Sequence, residues 1–185
     1  MKKIVIDLDD VITNCNGWLY AINKFLGTEY KEEDIKSYYI QDLVPKEKWE
    51  DYLKFFITQN TYDHCQINEN CVDVIKKLNE KYEIYICSAY VYRDDVMYSA
   101  DALKYKFEFL IKNFPFINPE RFVFLNNKHI IDCDIRIDDK LDNLENAKSK
   151  LLYTAYHNKN ISNEDLEKQG VVRVNGWNEI KEVLL

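Results

Sequence analysis

The sequence predicts an α/β fold, a Rossmann-like three-layer parallel sheet with helices on both faces, into which a small helical segment is inserted. Three observations predict it. Short apolar runs of strand character alternate with stretches of helical apolar spacing. Residues 16–67 break that alternation and carry aromatics at helix-like spacing without a convincing strand. Several strand-like runs end in polar or acidic residues, and in open parallel sheets the carboxyl ends of strands are where sites form.

Taken in order, the first run is Lys3–Leu8, and its near-continuous Ile4-Val5-Ile6 suits a strand buried on both faces. The insertion follows, with Trp18, Tyr20, Phe25, Tyr38, Tyr39, Trp49, Tyr52, Phe55 and Phe56. Most of these are expected to fill its own core. The boundaries predicted are a core made of residues 1–15 and 68–185 and a cap made of residues 16–67. Val72, Val74, Ile75 and Leu78 then form a helical stripe before the strand Glu83–Cys87. Leu103, Phe107, Leu110 and Ile111 form the next stripe, ending before Pro115. Strands are expected at Phe122–Leu125, Ile135–Ile137, Leu151–Thr154 and Val171–Val174. A helix through Leu141, Leu144 and Ala147 separates two of them, and one through Trp177, Ile180, Val183 and Leu184 closes the chain. Only four glycines and three prolines are present, so Asn and Asp must do most of the turning.

Composition narrows the partners. The 185 residues are 46% hydrophobic and 31% charged, which indicates a globular chain. A net charge of −7 argues against a nucleic-acid polymer, whose binders carry a basic footprint. No apolar stretch is long enough for a signal peptide or a membrane span. The five scattered cysteines read as reduced thiols rather than a disulfide framework, so a cytoplasmic location is expected. His64, Cys65 and Cys71 lie near one another but lack zinc-ligand spacing. The chain could also pair with a second copy as a homodimer.

The chemistry is concentrated at strand ends. Ile4-Val5-Ile6-Asp7-Leu8-Asp9-Asp10 is an apolar strand that runs into three carboxylates. Ionised carboxylates in such a place are costly unless a cation pairs with them, and a divalent metal is the simplest partner. One of Asp7 and Asp9 can attack phosphorus while the other exchanges a proton with the leaving oxygen. Ser88 follows the second strand, Lys128 the third, and Asp138-Asp139 the fourth. A hydroxyl, a lone cation and a second acidic pair at successive strand ends are what metal-assisted phosphoryl transfer requires.

This set, Asp7-Leu8-Asp9-Asp10-Val11, Ser88, Lys128 and Asp138-Asp139, resembles the four motifs of the haloacid dehalogenase (HAD) superfamily of phosphatases. Within it the 5'(3')-deoxyribonucleotidase family is most similar. Ile86-Cys87-Ser88 resembles its Ile-Cys-Thr, Leu152 to Asn158 resembles a segment ending Phe-Thr-Ala-Cys-His-Asn, and Gly176-Trp177 resembles its Ser-Trp. The resemblance implies an HAD-like core and a magnesium-dependent phosphatase acting on nucleoside monophosphates through an aspartyl-phosphate. It implies Asp7 as nucleophile, Asp9 as acid and base, and Ser88 and Lys128 as phosphate-binding. It also implies magnesium held by Asp7, the Asp9 carbonyl and Asp139, with Asp138 the adjacent alternative. Tyr38, Tyr39 and Ile40 match a base-binding run in the family's cap, and Phe56 falls where a base-stacking Trp is expected. Asp10 stands where the family has Gly, Cys15 where it has an aromatic, and Ala89 where it has a second Ser.

Two rivals remain at this level. One is the same chemistry on another small phosphate ester, such as a sugar phosphate or phosphoserine. The other is a phospho-accepting receiver-like signalling domain, in which the lysine would come last, whereas here Lys128 precedes the acidic pair.

Overall fold

The computed structural model describes all residues, 1–185. Six strands form one fully parallel sheet: β1 (Lys3–Asp7), β2 (Glu83–Ser88), β3 (Phe122–Phe124), β4 (Cys133–Asp138), β5 (Ala147–Tyr153) and β6 (Val171–Val174). Their spatial order is β3-β2-β1-β4-β5-β6. The order of strands therefore reverses direction between β1 and β4, and a crevice opens there at the carboxyl ends. Ile6 pairs with Ile137, so Asp7 and Asp138, the next residues on each strand, emerge side by side. Asp7 pairs with Cys87, which brings Ser88 out one residue further along on the other flank.

The sheet is buried on both sides. Ile4, Ile6, Ile84, Ile86, Ile135 and Ile137 belong to a cluster of 23 buried residues beneath the helices α3 (Cys71–Leu78), α4 (Ser99–Asn113) and α6 (Trp177–Leu184). Trp177 is seated in that cluster, and its indole N–H donates to the Val11 carbonyl at 3.1 Å. The opposite face is covered more lightly. Val5, Cys87 and Cys133 pack there as one small cluster, and Leu144, Leu152 and Leu166 as another beneath α5 (Asn163–Lys168).

Two helical expectations are corrected. In α4, Phe107 and Ile111 are each 40% exposed, while Leu110 and, unexpectedly, Lys106 face inward. Lys106 lies one helical turn before Leu110, and the inner face runs through it because an acidic partner awaits it below. Leu141 to Leu144 form only a single 3-10 turn, and β5 already starts at Ala147. The spacing of Leu141 and Leu144 serves one turn as well as a helix, and Glu145 in an extended conformation ends it before Asn146, at φ 60°, leads into β5.

Between β1 and α3 the chain forms α1 (Asn16–Leu26), α2 (Trp49–Phe56) and isolated 3-10 turns, with no strand. Ten buried residues, among them Cys15, Ile22, Tyr52 and Phe56, make a separate apolar cluster, to which Tyr98 of the main body contributes. Gly17 is required in α1, because a Cβ there would lie 2.2 Å from the Thr61 carbonyl oxygen. The outgoing and returning passages pair antiparallel, with Thr13 bridged to Ile67 and the Asn14 N–H donating to the Gln66 carbonyl at 3.0 Å. No helix is long and apolar enough to cross a membrane, and all five cysteines are free thiols.

Candidate active site

Asp7, Asp138 and Asp139 are buried at the ends of β1 and β4, and their carboxylate oxygens lie within 4.8 Å of one another. One protein cation sits among them. The Lys128 ammonium is 2.6 Å from Asp7 Oδ1 and 3.0 Å from Asp138 Oδ2, and Lys128 is 3% exposed. Burial alone would lower its pKa, but the Asp138 and Asp7 carboxylates outweigh burial and hold Lys128 firmly charged. Asp7 Oδ1 also accepts the Leu8 N–H at 2.7 Å.

One lysine does not balance three carboxylates. Burial, aided by Asp138, Asp139 and Asp9, pushes the Asp7 carboxyl well above the ordinary range despite Lys128. Burial and then Asp138 push Asp139 up to about 7. The two neighbouring acids differ in their engagement. Asp138 Oδ1 accepts from the Lys140 N–H at 3.0 Å and from Asn143 Nδ2 at 2.9 Å, while Oδ2 takes Lys128. Asp139 Oδ2 meets His157 Nε2 at 2.6 Å, and its carboxylate otherwise faces Asp7. Asp139 is therefore the freer of the pair to take a cation.

Asp9 belongs to a second cluster, and the residue that organises it was not visible in the sequence. The Lys106 ammonium donates to Asp9 Oδ2 at 2.6 Å, to Ser88 Oγ at 2.7 Å and to the Ala89 carbonyl at 2.6 Å. All three of its protons are thereby engaged. Tyr62 from the insertion donates its hydroxyl to Asp9 Oδ1, and Ser88 donates to Asp9 Oδ2 at 3.1 Å. Burial would raise the Asp9 carboxyl, but Lys106, by charge and hydrogen bond, together with Tyr62 and Ser88, holds it below the usual value. Ser88, 0% exposed, thus faces Asp9 and Lys106 rather than open space, which departs from the phosphate-binding role expected of it. Replacing Lys106 by Met is expected to cost about 2 kcal/mol in urea unfolding, less than the 3–5 of a fully buried pair, since the Asp9 side chain keeps 29% exposure.

Above these clusters lies a cleft of about 1060 Å³, bordered by Asp7, Asp9, Asp10, Lys128 and Asp139 on one side and by Tyr38 and Tyr39 on the other. A smaller recess of about 280 Å³ shares Asp9, Asp10, Tyr38 and Tyr39 with it and adds Ile40, Trp18 and Tyr156. Tyr38 and Tyr39 are 45% and 60% exposed, and the Lys140 ammonium lies over the Tyr38 ring at 5.2 Å. Phe56 is not. It is fully buried in the insertion, stacked between Trp18 at 5.1 Å and Tyr92 at 5.3 Å, because the amphipathic helix α2 turns it inward. Trp18, stacked on Phe56, reaches the recess in its place. Asn126, also unforeseen, accepts the Tyr90 and Val91 N–H groups and fixes the loop after β2. His64 stacks on Tyr20, and no grouping of metal-ligating side chains includes it, Cys65 or Cys71.

Comparison with known proteins gives a consistent picture. The sequence profile of the family described as 5' nucleotidase, deoxy (pyrimidine), cytosolic type C matches residues 1–185. A putative 5'(3')-deoxyribonucleotidase of Staphylococcus epidermidis is 32% identical over 187 residues, covering 97% of this chain and 94% of that protein. The 5'(3')-deoxyribonucleotidase of Bacillus subtilis is 31% identical over 188 residues, covering 100% of both. Among solved structures, a haloacid dehalogenase-like hydrolase of Streptococcus pneumoniae superposes with a TM-score of 0.57 at 14% identity, covering 100% of this chain and 99% of that one. A putative HAD-hydrolase of Bacillus subtilis, solved bound to magnesium, superposes with a TM-score of 0.50 at 12% identity, covering 99% of this chain and 98% of that one. The fold is HAD-like.

Proposed function

The chain belongs to the 5' nucleotidase, deoxy (pyrimidine), cytosolic type C family, a family of phosphoric monoester hydrolases, and from that premise we propose a specific activity. It is a magnesium-dependent phosphatase that hydrolyses nucleoside monophosphates, deoxyribonucleotides in particular, through an aspartyl-phosphate. The observation that carries this reading is the Asp7–Lys128 pair, with Asp139 beside it, opening on a cleft that Tyr38 and Tyr39 also line. A buried nucleophile beside a cation borders the same cleft as two exposed tyrosine rings.

The residues present suit magnesium. Three buried carboxylates share one lysine, and an all-oxygen donor set is what a hard divalent cation takes. Asp7, Asp139 and the Asp9 backbone carbonyl would hold it. When bound, it supplies positive charge to the phosphoryl oxygens and to the crowded carboxylates.

The side chains then divide the work. Asp7 attacks phosphorus as the bond to the leaving nucleoside oxygen breaks, and Asp9, ionised in the free protein and protonated as the substrate's negative charge enters beside it, gives that oxygen its proton. Asp9 afterwards takes a proton from the water that attacks the aspartyl-phosphate, which frees phosphate and restores Asp7. Lys128 neutralises charge on Asp7 and on the transferred group. Lys106 and Tyr62 fix the Asp9 carboxyl, and Ser88 completes that support. The helical insertion serves as the cap over 16–67, excluding water and offering Tyr38, Tyr39 and Ile40 to the base. Free thiols and intracellular nucleotides suit a cytoplasmic enzyme.

The test is phosphate release with magnesium from a panel of deoxynucleotides, ribonucleotides, 3'-phosphates, sugar phosphates and phosphoserine. Nucleotides are expected to exceed the other esters by about tenfold or more in kcat/KM, the scale that one well-fitted apolar contact supplies. Parity between nucleotides and sugar phosphates would defeat the assignment. A chelator is expected to stop release altogether.

Metal and pH are linked. The Asp7 and Asp139 carboxyls have folded pKa values above their unfolded ones. Their contribution to stability is therefore present at low pH and is lost as pH rises through the folded value, about 7 for Asp139. Metal competes with those protons. Magnesium is expected to raise the thermal midpoint more at about pH 8 than at about pH 5, and an equal shift at both would contradict the crowding of these carboxylates.

A further inference from the structure

His157 lies in the loop after β5, and that loop is built around Asp139. Asn158 Nδ2 donates to the Asp139 carbonyl and to the Tyr153 carbonyl, each at 2.8 Å, which fixes the backbone on both sides. His157 Nε2 stands 2.6 Å from Asp139 Oδ2, and both side chains are only 7% exposed. The imidazole is itself boxed. It meets the Tyr38 ring edge to face at 4.8 Å and the Tyr156 ring at 5.1 Å. Tyr156 in turn donates its hydroxyl to the Tyr38 carbonyl at 3.1 Å, joining this loop to the insertion.

Packing alone does not require a histidine here. An aromatic ring between Tyr38 and Tyr156 would fill the same space, but only a ring with an N–H at this vertex can hold an oxygen of Asp139. The need is electrostatic. Asp139 stands among Asp7, Asp138 and Asp10, and an unrestrained carboxylate in that company turns away from its neighbours. With the proton on Nε2, His157 fixes Oδ2 and leaves the other oxygen directed at the cluster.

We propose that His157 is a positioning residue for the metal: it holds Asp139 in the ligating orientation, and Tyr38 braces its ring from the insertion. The inference rests on the reading of Asp139 as a metal ligand. The aromatic wall of the cleft and the metal site are then one mechanical unit, joined through Tyr38, His157 and Asp139. Hydrogen-bonding partners of metal ligands of this kind carry about 10- to 100-fold in metal affinity.

The experiment is manganese binding to the metal-free protein, followed by the electron paramagnetic resonance of the free ion, which gives affinity and stoichiometry without turnover. Wild type is expected to bind one ion. His157→Ala is expected to weaken binding by about 10- to 100-fold. His157→Gln, whose amide N–H falls near the position of Nε2, is expected to recover most of it. Tyr38→Ala should weaken binding to a smaller degree, and Tyr38→Phe should leave it unchanged, because the contact is made by the ring. If His157→Ala fails to fold, His157→Gln and the Tyr38 pair decide the question.

Wild-type affinity in His157→Ala would overturn the inference. So would two ions in wild type with one lost in His157→Ala, since His157 would then be a ligand itself, with Asp10 and Asp139, whose donor atoms lie within 4.8 Å of its ring nitrogen. No manganese binding by wild type would instead bring down the metal reading on which the inference stands.

Discussion

Asp7→Asn is expected to abolish phosphate release, with a loss of about 10⁴-fold or more, the scale seen when a nucleophile is removed from a preorganised site. The substitution keeps the shape of the side chain and its place at the end of β1. It removes the negative charge and the electron pair that would bond to phosphorus. Stability should move the other way. The folded Asp7 carboxyl titrates well above its ordinary range because burial and three neighbouring carboxylates oppose its ionisation more than Lys128 favours it. An amide escapes that penalty, so the metal-free variant should unfold at an equal or higher urea concentration than wild type. The stabilisation gained from magnesium should shrink, because a donor with full negative charge is gone. A variant that turns over at more than trace rate would remove Asp7 from its role. A variant that merely unfolds would show that Asp7 is structural.

The opposed movements of activity and stability identify a site where local energetics yield to chemistry, and such places are also where a sequence is easiest to read. The β1 run could be recognised because Ile4-Val5-Ile6 must be buried and Asp7 has no reason to be. The same logic exposed Lys128 after the apolar Phe122–Phe124 and Asp138-Asp139 after Ile135 and Ile137. Most strand positions fell close to those expected, while β5 begins at Ala147, four residues before the expected Leu151, because its first half, with Lys148 and Ser149 exposed, lacks an apolar signal.

What was not legible had a common cause. Lys106 sits on a helix and would ordinarily be assigned to the solvent face, so the stripe was drawn through Phe107 instead. Only the partner, Asp9, nearly a hundred residues earlier, explains why a lysine turns inward. His157 and Trp18 were hidden in the same way, because their roles depend on contacts with Asp139 and Phe56 that no local pattern encodes. Phe56 showed the converse. Its alignment with a base-stacking position came from the family resemblance, yet the α2 helix buries it among Trp18, Tyr52 and Tyr92. The Leu141–Leu144 turn was misjudged because two leucines three apart fit either one turn or a longer helix.

Lys128→Ala should cost both turnover and stability, and the two losses can be separated. Removing a preorganised charge at a phosphoryl group is expected to lower kcat by about 10²- to 10³-fold, or about 3–4 kcal/mol in the barrier. The ammonium is also the one protein cation bonded to both Asp7 and Asp138, with 4% of its side chain exposed. Its removal leaves those carboxylates buried and unpaired, a loss of about 3–5 kcal/mol when they are ionised. Protonation is the escape open to Asp7 in the metal-free protein. Without Lys128 its carboxyl, already well above the ordinary range, rises further, so the stability deficit should be small near about pH 5 and grow through neutrality. Magnesium should recover much of the deficit near about pH 8, because the ion supplies the charge that the lysine withdrew. It should not recover kcat to the same extent, because the ion cannot occupy the lysine's position against the transferred phosphoryl group. Urea unfolding at both pH values, with and without magnesium, reads the first effect, and initial rates read the second. A near-normal rate would deny Lys128 its place at the phosphoryl group. A deficit independent of pH would mean that something other than the Asp7 carboxylate depends on this lysine.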